Sequence, residues 1–276
     1  MREVIRTVRG RATSDGDGVR LTRIIGGSEL PDLDPFLLLD EFGSDRAQDY
    51  IGGFPNHPHR GFETVTYMLD GRMRHSDNQG NSGLLESGSV QWMTAGRGIV
   101  HSEMPEQEQG LMRGFQLWVN LPARDKMTAP RYQDIAPRDV PEVTPSAGVR
   151  VRVLAGSFGQ TQAAVQGIAT DPCYLDIHLA VGTHIAVDVA TDYSAFAYVY
   201  EGSVRIGSAT LATERGELAV LSPGAKFTTR ADASGARLIF AAARPLHEPV
   251  VRHGPFVMNS RAEITQAIAD FQSGRF

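Results

Sequence analysis

Short runs of β-branched and aromatic residues, each closed by a glycine-centred turn, follow one another through most of this chain. In the first half no helical period interrupts them. Glu63-Thr64-Val65-Thr66-Tyr67-Met68-Leu69 ends at Asp70-Gly71, a hairpin signal, and Arg72-Met73-Arg74-His75-Ser76 follows it. Gly88-Ser89-Val90-Gln91-Trp92-Met93 and Gly114-Phe115-Gln116-Leu117-Trp118-Val119-Asn120-Leu121 have the same texture. Strands this short, with turns at this spacing, predict an antiparallel barrel or sandwich. Val4-Ile5-Arg6-Thr7-Val8 and Val19-Arg20-Leu21-Thr22-Arg23-Ile24-Ile25 flank the turn cluster Ser14-Asp15-Gly16-Asp17-Gly18, so residues 4–26 are expected to form a hairpin. The apolar run from Leu33 to Phe42 reads as a buried strand.

Five of the fifteen prolines fall between residues 122 and 148, marking a connector. Beyond it the β texture resumes in Val149-Arg150-Val151-Arg152-Val153-Leu154 and Tyr174-Leu175-Asp176-Ile177-His178-Leu179. The acidic-glycine turn at Glu201-Gly202 repeats the one at Asp70-Gly71, and Gly216 to Leu221 resembles Ser87 to Trp92. An all-β chain of two tandem barrels is expected, residues 1–135 and 136–276, with ligands only in the first. One helix stands at the end. Asn259 or Ser260 would cap it, Ser260-Arg261-Ala262-Glu263 has capping-box form, Ile264, Ala267, Ile268 and Phe271 trace an apolar face, and Gly274 would stop it. So short a helix must dock against a barrel.

The formal charge of −5 is spread without long runs of one sign, which argues against direct nucleic-acid binding. A single cysteine, Cys173, excludes an intramolecular disulfide and suits a reducing compartment. No apolar run approaches the roughly 20 residues that span a bilayer, and the first residues lack a signal-peptide core. A soluble cytoplasmic protein is expected.

Two ligand pairs carry the chemistry: His57-Pro58-His59, and His101-Ser102-Glu103. Residues two apart on a strand face the same way. If the two segments are neighbouring strands, a three-histidine, one-carboxylate metal centre results. Composition alone yields roughly 0.2 His-x-His pairs in such a chain, so the first pair by itself is weak; two pairs in glycine-punctuated strands are much harder to obtain by accident. Pro58 offers no N–H and belongs at a strand edge or end, placing the ligands at a barrel mouth. Such a donor set suits Fe(II), Mn, Co, Ni, Cu or Zn, with up to two positions left for substrate or O₂. A structural zinc would more usually be cysteine-rich.

Gly52 to Gly71 resembles the first cupin motif, and Gly88 to Glu103 the second. More narrowly, His57 to Glu63, Gln91 to Pro105, Phe115 to Pro122 and the tail from Glu248 to Phe276 resemble the pirin family over nearly the whole length. Thr94 stands where cupins usually have proline, a departure that pirins share. The resemblance implies two cupin (jelly-roll) barrels and a single metal, iron as Fe(II), on His57, His59, His101 and Glu103. It implies quercetin 2,3-dioxygenase activity for bacterial members, an oxidoreductase reaction on a flavonol and O₂. Eukaryotic pirins are metal-dependent partners of transcription regulators, so a non-enzymatic, partner-binding role is the alternative. In the enzymatic scheme Glu103 is the general base for the flavonol 3-hydroxyl.

Other polar residues weigh less. Glu63 occupies a carboxylate position that many cupins use, but the resemblance assigns the carboxylate ligand to Glu103 and leaves Glu63 a supporting or structural part. His75 reads as a strand residue, and His178 and His184 as ordinary surface or satisfied core histidines. Gln116 could reach the site, but an ordinary strand role is the expectation.

Overall fold

The computed structural model describes residues 1–276, which form two compact units. One comprises Arg11–Pro137 with Leu246–Phe276, the other Met1–Gly10 with Arg138–Pro245. The chain passes between them at Pro137, inside the proline-rich connector, but its two ends are exchanged relative to a division at 135/136. The expected hairpin over 4–26 changes with them. Val4–Arg9 pairs with Glu217–Leu221 of the other unit's sheet, and the hairpin that forms joins Arg11–Asp15 to Val19–Ile25. Alternation shows that a segment is a strand without naming the edge it will join. No helix is long and apolar enough to cross a membrane.

The unit around Arg11–Pro137 is built from two sheets. The larger runs in the order Arg131–Ile135, Val90–Thr94, Phe62–Asp70, Met112–Asn120, Phe36–Ser44, Val19–Ile25, Arg11–Asp15. The smaller runs Phe54–His59, Ile99–Pro105, Met73–Asp77, Ser82–Leu85. Register aligns Arg23, Asp40, Gln116, Thr66, Gln91 and Asp134 in one row across the larger sheet. Side chains paired across a ladder share a face, so this row is a polar band on the face that meets the smaller sheet.

The other unit has a single nine-stranded sheet around a core of Val149, Val151, Leu175, Ile177, Val199, Phe227, Leu238, Phe240 and their neighbours. Its longest strand, Lys226–Ala243, pairs along one edge with Ser194–Ile206 and along the other with both Cys173–Leu179 and His184–Asp188.

The helix spans Arg261–Gln272 and closes the Arg11–Pro137 unit, whereas the sequence placed it with the second barrel. Ser260 Oγ accepts from the Glu263 N–H at 3.3 Å, and Glu263 Oε2 accepts from the Asn259 N–H at 3.1 Å, a variant of the predicted capping box. Gly274, at φ +69°, takes the left-handed turn that ends it. Ile264 and Ala267 are buried against Phe256 and Met258, and Asp270 receives the buried Arg60 at 2.8 Å.

Candidate metal centre

Phe54–His59 lies at the edge of the smaller sheet, where Pro58 costs no ladder bond that a central strand would need. It pairs with Ile99–Pro105 so that His101 stands opposite His57 and Ile99 opposite His59. The three imidazoles converge, with ring centroids 4.5 Å apart for His57–His101, 4.6 Å for His57–His59 and 5.0 Å for His59–His101. One ring nitrogen from each lies within 4.8 Å of the others. Gly61 turns the chain just after His59 at φ +90°, where a Cβ would stand 2.0 Å from the Val257 carbonyl oxygen. Only glycine fits there.

His59 and His101 are buried, and neither ring nitrogen of either has a hydrogen-bond partner. Native structures rarely leave such groups unpaired. Burial first, and the neighbouring histidines second, hold both well below the usual imidazole pKa. They are therefore neutral rings with lone pairs to offer. His57 is half-buried, and its Nδ1 lies 2.8 Å from the Pro55 carbonyl, which calls for a proton on Nδ1 and leaves Nε2 as the free donor. The orphaned nitrogens, their neutral state and their convergence fit a metal ion.

Glu103 is buried on the same strand as His101, past a register shift in the pairing with the His57 strand. Its carboxylate lies outside the group of three histidines but lines the same cavity. Oε1 is 2.7 Å from Thr66 Oγ1, and Oε2 accepts from Gln116 Nε2 at 3.2 Å. Thr66 Oγ1 is also 2.7 Å from Gln116 Oε1. One hydroxyl proton serves one acceptor at a time. The Thr66 hydroxyl donates to Glu103 Oε1 or to Gln116 Oε1, and so links the two side chains. Gln116 is thus a partner of Glu103 rather than an ordinary strand residue. Thr66 escaped sequence reasoning altogether; the signal was its register with Gln116, which a single sequence does not give.

The remaining candidates lie elsewhere. Glu63 is an odd step from Thr66 and faces the opposite side of its strand, where Thr94 Oγ1 donates to its Oε1 at 2.7 Å. Burial raises its pKa to about 7; the Trp92 indole and Thr94 favour the ionised form, although Trp92 Nε1 does not reach hydrogen-bond geometry with it. His75 is buried with Nε2 2.8 Å from Asp134 Oδ2, and Gln91 holds the other oxygen of Asp134 at 3.0 Å. His178 sits 3.0 Å from Asp176 and 2.6 Å from Arg150, and His184 is exposed.

His57, His59 and Glu103 open into a cavity of about 410 Å³, walled by Leu21, Leu38, Phe42, Phe54 and Trp118. Trp118 lies against the His59 and Phe62 rings, at 5.2 and 4.4 Å. Mostly apolar walls around a few convergent polar groups characterise small-molecule sites. A larger depression of about 670 Å³ in the other unit is open and brings no set of metal-ligating groups together.

Comparison with known proteins agrees with this geometry. Residues 18–119 match the pirin family and residues 174–276 the pirin C-terminal cupin domain. A Pseudomonas aeruginosa protein named "Putative quercetin 2,3-dioxygenase" is 52% identical over 99% of this chain and 97% of its own length. A pirin-like protein of Caulobacter vibrioides is 51% identical, covering 100% of this chain and 99% of its own. The crystal structure of a quercetin 2,3-dioxygenase from Acinetobacter baumannii superposes with a TM-score of 0.92 at 34% identity, over 100% of this chain and 98% of that one. With two cupin barrels, a converging histidine cluster and full-length relatives at this identity, the chain belongs to the pirin family.

Proposed function

We propose that this chain is a metal-dependent dioxygenase that opens the heterocycle of flavonols such as quercetin, with Fe(II) held by His57, His59, His101 and Glu103. The observation that carries the reading is the convergence of three imidazoles, two of them buried with no partner for either ring nitrogen, beside a cavity that a buried carboxylate also lines. The names of the Pseudomonas and Acinetobacter relatives support the substrate class. Bound there, the metal would supply Lewis acidity toward the substrate's oxygens and a path for electrons to O₂.

The protein's own part is positioning and proton handling. Leu38, Phe42 and Trp118 offer flat apolar surface to a planar ring system and displace water from it. Glu103 takes the 3-hydroxyl proton, and Thr66 and Gln116, which donate to its two oxygens, hold the carboxylate in place. The enolate so formed is the electron-rich species that O₂ attacks, and ring opening releases CO.

The test is protein loaded anaerobically with iron, then mixed with quercetin in air. The flavonol absorption band should disappear with release of CO. Glu103→Gln should abolish turnover while much of the metal stays bound. Normal turnover in that variant would remove Glu103 from the base role. An unchanged band with each plausible metal, together with a co-purifying protein, would point to partner binding instead.

A further inference from the structure

Two arginines reach the metal cavity, and their situations differ. Arg23 is fully engaged: it grips Asp40 through Nε at 3.0 Å and Nη2 at 2.7 Å, and Asp15 through Nη2 at 2.8 Å. Arg252 has no carboxylate partner at hydrogen-bond distance. Its guanidinium lies over the Trp118 ring, 4.9 Å from the centroid, and its hydrogen bonds are two long ones to main-chain oxygens, Leu37 at 3.4 Å and Gly254 at 3.5 Å. A guanidinium has five N–H donors in a planar fork, so most of this capacity is unspent.

The backbone that carries it is held in place. Val251–His253 pairs with Phe256–Met258 in a short hairpin, and the C-terminal helix packs onto that hairpin through Ile264 and Ala267. The indole beneath Arg252 is the one that touches His59 on its other contact, so the cation stands one aromatic ring away from the metal ligands. Desolvation at the cavity first, and Arg23 second, lower its pKa, while Asp40, Asp15 and Asp32 favour its charge from a distance and the side chain stays exposed to solvent. Asp15 and Asp40 are already satisfied by Arg23. An anion arriving in the cavity would meet an oriented fork with no competitor seated on it.

We propose that Arg252 makes this cavity selective for planar aromatic ligands that carry an anionic oxygen group at the end remote from the metal ligands. The proposal deepens the dioxygenase reading and rests on it, because it takes the ligand's other end to lie at the histidines. The guanidinium lies over the indole, so the two form one edge of the binding slot, where a ligand's anionic group meets the charge-assisted fork while its ring system lies along the apolar wall of Leu38 and Phe42. A neutral flavonol would use the slot by shape alone. The preferred substrate is then an aromatic acid or a flavonol with an ionised phenol.

The test uses the full chain, metal-loaded and anaerobic, so that binding is read without turnover. The probes are 3-hydroxyflavone bearing a 4′-carboxylate and the same compound as its 4′-carboxamide, followed by quenching of indole fluorescence. The wild type should bind the carboxylate about tenfold more tightly than the carboxamide, as a charge-assisted hydrogen bond implies. Arg252→Gln should bring that ratio to about one, and Arg252→Lys, which keeps the charge and loses the fork, should leave an intermediate ratio. Equal binding of both probes by the wild type, or an unchanged ratio in Arg252→Gln, overturns the role of Arg252 while the flavonol site stands. Failure of both probes to bind overturns the proposal together with the reading beneath it.

Discussion

The two barrels of this chain are written in the same strand texture and differ in what their inward positions carry. In the Arg138–Pro245 unit the core-facing residues are Val149, Val151, Leu175, Ile177, Val199, Leu238 and Phe240, packed on one another. In the Arg11–Pro137 unit the corresponding face bears Arg23, Asp40, Gln116, Thr66, Gln91 and Asp134, opposed by His75, His101 and Glu103. The first arrangement gains from burying apolar area. The second must satisfy every buried polar group, and it does so for all but the histidine nitrogens and a few others. A barrel filled with side chains stabilises itself; one lined with paired polar groups leaves a cavity and a donor set.

The largest expected effect separates the two by metal. His101→Ala removes a buried imidazole from the cluster proposed to hold the metal. Metal content measured by elemental analysis should fall to near zero, and flavonol cleavage with it. The reciprocal change, Phe240→Ala in the other barrel, should leave metal stoichiometry intact. Phe240 is fully buried and stacked on Phe227 at 4.4 Å, so its truncation should cost about 3–5 kcal/mol of stability by chemical denaturation. If His101→Ala keeps its metal, or Phe240→Ala loses it, the division of labour between the barrels is wrong.

Thr66→Val probes the polar band within the first barrel. It preserves shape and removes the hydroxyl that joins Glu103 to Gln116. Metal should remain bound while turnover drops about 10- to 100-fold, the usual cost of losing a group that supports a metal ligand, the part proposed for Glu103. An unchanged rate would mean that Glu103 needs no such support.

What the sequence made legible follows the same contrast. The histidines announced themselves because their spacing of two is local and maps directly onto one strand face. The condition on which the metal reading rests, that the His57 and His101 segments are neighbouring strands, is met, with His57 opposite His101. The helix cap was equally local. What escaped was non-local. Val4–Arg9 reads as a strand, but nothing in six residues says that it completes the other unit's sheet. Thr66 and Arg252 matter only because pairing and the C-terminal hairpin carry them to the cavity, and no period in the sequence encodes that.

Glu63 gives the finest test, because it sits three residues from Thr66 on the same strand with the opposite facing. Its burial raises the carboxyl to about 7, above the value near 4.3 expected of an unfolded chain. Between those two values the folded protein holds a proton that the unfolded chain has released, so the contribution of Glu63 to stability is complete below about pH 4 and is lost as the pH rises through 7. Glu63→Gln cannot ionise, and Thr94 can still donate to its amide oxygen. The variant should therefore match the wild type near pH 5 or fall slightly below it, and exceed it at pH 8 by on the order of 2–3 kcal/mol in denaturant melts. Metal content and flavonol turnover should be unaffected by the exchange at either pH where the protein is folded. A loss of metal in Glu63→Gln would show that this carboxylate reaches the ligand set after all, and the facing rule that separates it from Glu103 would fail with it.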